Sequence, residues 1–280
     1  MEPERLATCG GWLALSDAEA HYLRRVLRLR PGGRLVLVDG RGSLWSARLE
    51  GGGAAAAGVP AAGVPAGGVV AVGAVAALEQ PLEQPLLRLP PPSPALGLAV
   101  ALPRLDPDVL LRMVCELGLD RIVPLQAERS VAGARLKPGR GEAILREAVE
   151  QCERLWSPQL DGERPASAWL HGDGAGWSMP AAERGRALRL LATTRRPGLP
   201  SLSDQLAAQE PGEASAAWVA VGPEGGWSPA EEARAEAAGW LPVSLGDPIL
   251  RTSTAAVAAA AHLADWRRCL SCGTSPWPSP

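Results

Sequence analysis

Apolar positions recur along this chain in two rhythms, and the change falls near residue 95. Before it the apolar runs are short and broken by polar residues. LVLVDG, from Leu35, and LWSARLE, from Leu44, predict two strands around a turn at Gly40 to Gly42. The preceding run, SDAEAHYLRRVLRLRPGG, places Tyr22 or Leu23, Val26, Leu27 and Leu29 on one side of a brief amphipathic helix, which Pro31, Gly32 and Gly33 stop. This is the pattern of a small β-rich module with one basic helix.

From Leu96 strand and helix patterns alternate. LGLAVAL predicts a strand; Asp106 and Pro107 open a helix with Leu110, Leu111, Val114 and Leu117 on one face and Gly118 as its stop; RIVPL predicts the next strand. A longer helix is expected over 141–156, with Ile144, Leu145, Ala148, Val149 and Cys152 inward. Strands follow at 188–192, 218–221 and 241–244, with a helix after Ser228 between the last two and an Ala-rich helix from near Thr252. Strands separated by helices predict an α/β fold, a parallel sheet covered on both faces.

Two segments interrupt this order. GGGAAAAGVPAAGVPAGG, residues 51–68, and the breaker cluster Pro90 to Pro94 lack the apolar surface needed to offset ordering, and flank one more expected strand over 69–75. The expected organisation is therefore a module over 1–95 containing a low-complexity insertion, an α/β domain over 96–268, and a tail over 269–280.

One loop stands out. Trp218 to Val221 form a short apolar run of the kind that is buried on both faces, and Ser228, Pro229 and Glu231 read as the N-cap, first and third positions of a helix. Between them lie Gly222, Pro223, Glu224, Gly225 and Gly226, at the carboxyl end of a strand, where open parallel sheets bind ligands. Glycines there let the backbone approach a ligand closely. The loop has neither the GxGxxG spacing nor the lysine of a Walker loop, so a tight turn without a ligand is the competing reading.

Composition narrows the setting. The chain has 280 residues, 46% of them hydrophobic, enough for a large core, and the pattern is that of a soluble globular protein. Phe is absent, Tyr occurs once and Lys137 is the sole lysine, while Arg, Ala, Gly, Pro and Trp abound, a bias expected of GC-rich coding. Net charge is −2, yet Arg24, Arg25, Arg28, Arg30, Arg34, Arg41 and Arg48 fall within thirty residues that hold, before Glu50, only Asp39 as an acid. Such a run is either a solvated basic face or a nucleic-acid surface, and arginine suits phosphate because its fork donates twice. The five cysteines, Cys9, Cys115, Cys152, Cys269 and Cys272, are odd in number and scattered, which points to reduced thiols and a cytoplasmic setting, or an organelle if a leader precedes this start. The single CxxC in the tail has no second pair, so no metal is expected. No apolar span suggests a membrane segment.

A second loop follows at close range, VSLGDPILRTSTAAVAAAAHL, from Val243. With VGPEGGWSPAEE it resembles the SPOUT class of S-adenosylmethionine-dependent RNA methyltransferases, and within it the family that methylates N3 of a uridine in small-subunit (16S-type) ribosomal RNA. CELGLDRIVPLQAERS from Cys115, EAVEQCERLWSP from Glu147 and, more loosely, HYLRRVLRLRPGGRLVLVDGRG from His21 are similar to the same family, the last to its PUA-like RNA-binding module. The resemblance spans nearly everything outside 51–95 and the tail.

That resemblance implies a C-terminal sheet tied in a trefoil knot, a homodimer through the final helices, and a cofactor, S-adenosyl-L-methionine, held by main chain of three loops. Gly222, Pro223, Glu224, Gly225 and Gly226 would line its methionine portion; Leu245, Gly246, Ile249 and Leu250 its adenine; and the loop at Ala192 and Thr193, reaching toward Arg195, the third wall. Arg251, at a helix start, would stabilise charge developing on the uracil, with Glu224 beside it as a catalytic carboxylate or as its ion-pair partner. His21, Arg24, Arg25, Arg28, Arg129 and Arg154 would contact RNA, either as free ribosomal RNA or in the assembled small subunit, with Gln151 and Arg154 three apart on one helix face. The chain departs from the family at Ser253, where a Glu is usual and where a serine could still cap the helix, at Met113, where a Lys is common, at Arg104, a usual Lys, and at Trp227, a usual Phe. Two alternatives stay open on the sequence: a relative that binds RNA without turnover, and a methyltransferase for another RNA such as transfer RNA.

Overall fold

In the computed structural model the described residues are 5–6, 8–51, 74–133, 135–171 and 186–270. The insertion from residue 52, the first part of the strand expected over 69–75, and the tail from residue 271, with Cys272, lie outside them, while Cys269 and Leu270, expected in the tail, end the last helix. Contacts divide the chain into one unit of residues 1–91 with 154–156 and a second of residues 92–153 with 157–280.

The first unit is an antiparallel sheet. Strands β1 (Trp12–Ala14), β2 (Arg34–Val38), β3 (Ser43–Gly51) and β4 (Ala74–Leu78) run in the order β1-β4-β3-β2, and β5 (Leu87–Arg88) pairs with β3. Leu13, Leu37, Trp45, Ala47 and Ala76 are buried on one side with Leu6. The turn between β2 and β3 is built by Asp39, whose carboxylate accepts the amides of Arg41 (2.7 Å) and Ser43 (2.9 Å). The basic helix begins earlier than the apolar pattern predicts. Ser16 and Glu19 form a reciprocal capping box that starts α1 (Asp17–His21), and the chain continues as one π-helical turn, Tyr22–Val26. It ends where Arg28 takes a left-handed conformation, φ 53°.

The second unit carries a seven-stranded sheet of strands β6 (Ala95–Ala101), β7 (Arg121–Gln126), β8 (Gln159–Leu160), β9 (Arg164–Pro165), β10 (Ala187–Ala192), β11 (Ala216–Val221) and β12 (Leu241–Val243). The order is β12-β10-β11-β6-β7-β8, with β9 also on β7, and every pairing is parallel. The central strands are apolar throughout because both faces are covered. Leu98, Val100 and Val219 face helices α2 (Pro107–Glu116), α3 (Arg140–Gln151), α5 (Leu202–Ala207) and α7 (Thr252–Leu270); Ala99, Ala101 and Trp218 face α4 (Ala166–His171) and α6 (Pro229–Ala237). Arg267 near the end of α7 pairs with Asp120 and donates to the Gly118 carbonyl (2.7 Å), tying the last helix to the turn before β7.

Two sequence expectations change here. The helix expected over 141–156 ends at Gln151, Glu153 adopts φ 56°, and the chain leaves to bridge Trp156 with Arg41 and to offer the Leu155 carbonyl to the Gly42 amide (2.9 Å). Arg154 therefore does not share a helix face with Gln151. Ser253 lies inside the first turn of α7 rather than ahead of it, so it is not the N-cap. The short helices α4 and α5 were not legible, since six residues hold too few turns for a periodicity.

Candidate active site

Strand register places the site. Ala192 at the end of β10 lies opposite both Val221 of β11 and Val243 of β12, so three neighbouring strands finish at one level and their loops emerge side by side. These loops enclose a cleft of about 320 Å³. All eleven residues assigned from sequence to the cofactor line it: Ala192 and Thr193, Gly222 through Gly226, and Leu245, Gly246, Ile249 and Leu250.

The glycine loop is held by side-chain and main-chain hydrogen bonds. Thr252, 3% exposed at the start of α7, donates its hydroxyl to the Gly222 carbonyl (3.1 Å). The Gly226 amide closes a turn on the Pro223 carbonyl (2.8 Å). Trp227 donates its indole N–H to the Ala192 carbonyl (3.0 Å), joining this loop to the one after β10. The helix beyond is capped as its residues predict: the Ser228 hydroxyl accepts the Glu231 amide and the Glu231 carboxylate accepts the Ser228 amide (2.9 Å). The other oxygen of that buried carboxylate accepts the Glu128 amide (2.9 Å), which fixes α6 against the turn after β7.

Not every glycine serves a ligand. A Cβ on Gly225 would come within 3.0 Å of the Arg129 Cβ, and one on Gly222 within 3.1 Å of the Trp227 ring, so these two are small for packing. Gly226 and Gly246 adopt φ 70° and 124°, a left-handed region that favours glycine, and a Cβ there would meet nothing closer than 4.0 Å. Backbone freedom at those two positions shapes the walls.

The cleft also gathers charge, of which the motifs marked Arg129, assigned to RNA, and Arg195, at the third wall, but not Arg196 or Glu232. Arg129, Arg195, Arg196 and Glu232 line it. Glu232 accepts from the Thr193 hydroxyl, and the Arg196 guanidinium, bonded to Glu236 (2.6 Å), has its pKa raised by that partner. The available signal for Glu232 was positional: it falls one turn beyond the Ser228 cap, on the side that faces the strand ends. Arg251 is exposed, precedes α7, and offers its carbonyl to the Ala255 amide (2.8 Å); it does not line the cleft and, among the described residues, forms no ion pair with Glu224.

In the first unit, His21 ends α1, Arg24 and Arg25 lie on the π-helical turn and Arg28 follows it, all four exposed. The basic run is not uniform. Arg34 and Arg48 are both bound to Glu79 (3.2 and 2.8 Å), and the Ser46 hydroxyl together with these guanidinium groups holds that carboxylate below its ordinary range. Arg154, half-buried, belongs to this unit by its contacts.

Residues 91–264 match the family model described as an RNA methyltransferase domain, and residues 15–55 match that of an RNA methyltransferase PUA domain. The chain is 34% identical over 257 residues to the ribosomal RNA small subunit methyltransferase E of Synechocystis, covering 90% of this chain and 72% of that protein. Among solved structures it is similar to a probable rRNA-methyltransferase from Porphyromonas gingivalis (TM-score 0.72, 26% identity, 96% and 97% of the two chains). It is also similar to a ribosomal RNA small subunit methyltransferase E from Neisseria gonorrhoeae bound to S-adenosyl methionine (TM-score 0.66, 28% identity, 91% of each chain). The parallel sheet is of the SPOUT type and the antiparallel unit is PUA-like. With a model matched over most of its length and a relative this similar, the chain belongs to the RNA methyltransferase family that includes ribosomal RNA small subunit methyltransferase E.

Proposed function

We infer that this protein methylates N3 of a uridine in small-subunit ribosomal RNA, with S-adenosylmethionine as the methyl donor. The observation that carries the reading is the convergence of three strand-end loops on one cleft, in a chain whose relative from Neisseria gonorrhoeae is bound to that cofactor.

The residues present fit the group. Among the described residues the amides of Glu224 and Gly225 take no partner, and both residues line the cleft, so donors suited to a carboxylate are available. Glu224 is exposed at the same wall, and an anion there complements a cationic ligand. Half-buried Leu245 and Leu250, with exposed Ile249, offer an apolar wall for a flat ring. When bound, the cofactor supplies an electrophilic methyl group on sulfur.

The chain's own part is to present the base in line and to favour its deprotonated form at N3. Arg251 lies outside the cleft lining, but it is exposed between the cleft residues Leu250 and Thr252 at the amino end of α7, and from there it is suited to stabilise the negative charge that develops on the uracil, and Glu224 to balance the cofactor's charge. His21, Arg24, Arg25 and Arg28 supply a basic surface for the RNA backbone, with Arg154 on the same unit. The reading includes a homodimer through α7, whose small residues Ala258, Ala261 and Ala264 permit close approach, and a cytoplasmic setting, where small subunits are assembled. Light scattering that gives a monomer mass at every concentration would reject the dimer.

The reaction is tested by incubating the protein with labelled S-adenosylmethionine and small subunits that lack their native modification, then identifying the labelled nucleoside by mass spectrometry. N3-methyluridine at one site is expected. Label on another base or on ribose, or no transfer at all, would reject the assignment.

A further inference from the structure

The sequence groups Arg129 with the residues that contact RNA, but its hydrogen bonds point elsewhere. It sits in the turn that follows β7, which closes on itself when the Ser130 amide donates to the Ala127 carbonyl (3.1 Å) and the Ser130 hydroxyl accepts the Ala127 amide (2.9 Å). Strand β7 is not a neighbour of β11, because β6 lies between them. Arg129 spans that gap. Its Nη1 donates to the carbonyls of Gly225 (3.2 Å) and Trp227 (3.0 Å), and that nitrogen carries two hydrogens, one for each acceptor. Its Cβ stands where a side chain on Gly225 would have to go.

We propose that Arg129 is a positioning residue for the cofactor loop: by holding the Gly225 and Trp227 carbonyls it fixes the peptide planes that follow these two residues and so limits how the preceding Glu224 and Gly225 amides can turn at the cleft wall. One guanidinium nitrogen grips the peptide group before Gly226 and the one after Trp227, and together with the bond from the Gly226 amide to the Pro223 carbonyl (2.8 Å) it holds the glycine between them at φ 70° without a ligand. The loop is thus ordered before the cofactor arrives, and binding does not have to supply that ordering. The proposal rests on the reading of the cleft as the S-adenosylmethionine site.

The test uses the full-length protein with Arg129→Met and Arg129→Lys, measuring S-adenosylmethionine affinity by calorimetry, KM for S-adenosylmethionine and kcat on small subunits, and the salt dependence of RNA binding. Arg129→Met is expected to raise the dissociation constant and KM for S-adenosylmethionine roughly tenfold, in the range of one lost charge-assisted bond. At saturating cofactor kcat should change less than about twofold, and RNA affinity and its salt slope should stay as in the parent. Arg129→Lys keeps the charge with one donor head in place of the fork, and is expected to recover part of the affinity; it also serves if Arg129→Met fails to fold. Weaker RNA binding with unchanged cofactor affinity would overturn the proposal and return Arg129 to the RNA surface. Parent protein that binds the cofactor as tightly as a folded Arg129→Met variant would overturn the proposal alone, whereas a parent that takes up no S-adenosylmethionine would overturn the cofactor reading with it.

Discussion

Gly97 lies in β6, opposite Trp218 of the neighbouring strand β11, and the indole ring covers the place where a side chain would be. A Cβ at residue 97 would stand 2.3 to 2.5 Å from three ring atoms. Ordinary contact begins near 3.4 Å, so for Gly97→Ala the ring or the strand must retreat by about 1 Å. Neither can do so freely: β6 is hydrogen-bonded on both sides, to β11 and β7, and Trp218 is 1% exposed with its ring edge-on to Trp169, 5.3 Å between centroids, which in turn meets Trp240 at 5.4 Å. Overpacking of this kind costs about 1–3 kcal/mol, and the absence of any free direction places this site at the upper end, about 3 kcal/mol. Denaturant unfolding followed by Trp fluorescence and far-UV dichroism measures it. Trp218→Leu alone should also destabilise, by opening a cavity, but combined with Gly97→Ala it should cost clearly less than the sum of the two. A Gly97→Ala protein within about 0.5 kcal/mol of the parent, or strict additivity in the double variant, would refute the claim that the two positions compete for one volume.

Thr252→Val keeps the shape of a buried side chain and removes the donor to the Gly222 carbonyl; stability should fall by about 1–2 kcal/mol and S-adenosylmethionine should bind several-fold more weakly, while Thr252→Ser should stay near the parent in both calorimetry and unfolding. Arg24→Glu with Arg28→Glu should weaken RNA association and lower the slope of log K against log salt by roughly two, with cofactor affinity unchanged, and an unchanged slope would remove these residues from the RNA surface. Burial pushes the Glu19 carboxyl up, but Arg5 (2.9 and 3.0 Å) and the Ser16 amide and hydroxyl outweigh it, so its pKa lies below the ordinary 4.5. A carboxylate lowered in the folded state stabilises fully above the unfolded value and loses this effect as pH falls through the folded one. Glu19→Gln should therefore cost about 1 kcal/mol at pH 7, and thermal unfolding at decreasing pH should find the difference from the parent shrinking below pH 4.5.

Much of the second unit was legible because its signals are local. The cap at Ser228, the stop at Gly118 and the fully apolar run at Trp218 each follow from contacts within a few residues, and each appears where the pattern places it. The cofactor loops were legible for a different reason, since their strings resemble a family's, and the structure brings all eleven of those residues to one cleft. The end of α3 was not legible: nothing in the periodicity through Cys152 announces that Glu153 turns left-handed so that Leu155 and Trp156 can join the first unit.

What the amino-acid sequence determined by itself is therefore the order and type of the longer elements, because hydrogen bonding within a helix, capping at its ends and the burial pattern along a strand show in near neighbours, and the identity of the ligand loops, because their strings resemble a family's. Only the tertiary structure decided which strand ends meet, that Gly225 is small for Arg129 while Gly226 and Gly246 are glycine for their backbone angles, that Glu79 neutralises Arg34 and Arg48 and leaves Arg25 and Arg28 exposed, and that Glu232 enters the cleft. Those facts depend on groups far apart in the chain, from Arg34 to Glu79 or from Arg129 to Gly225, and a close approach over such a distance is set by the register of the sheet and the packing of its faces, which no local pattern encodes.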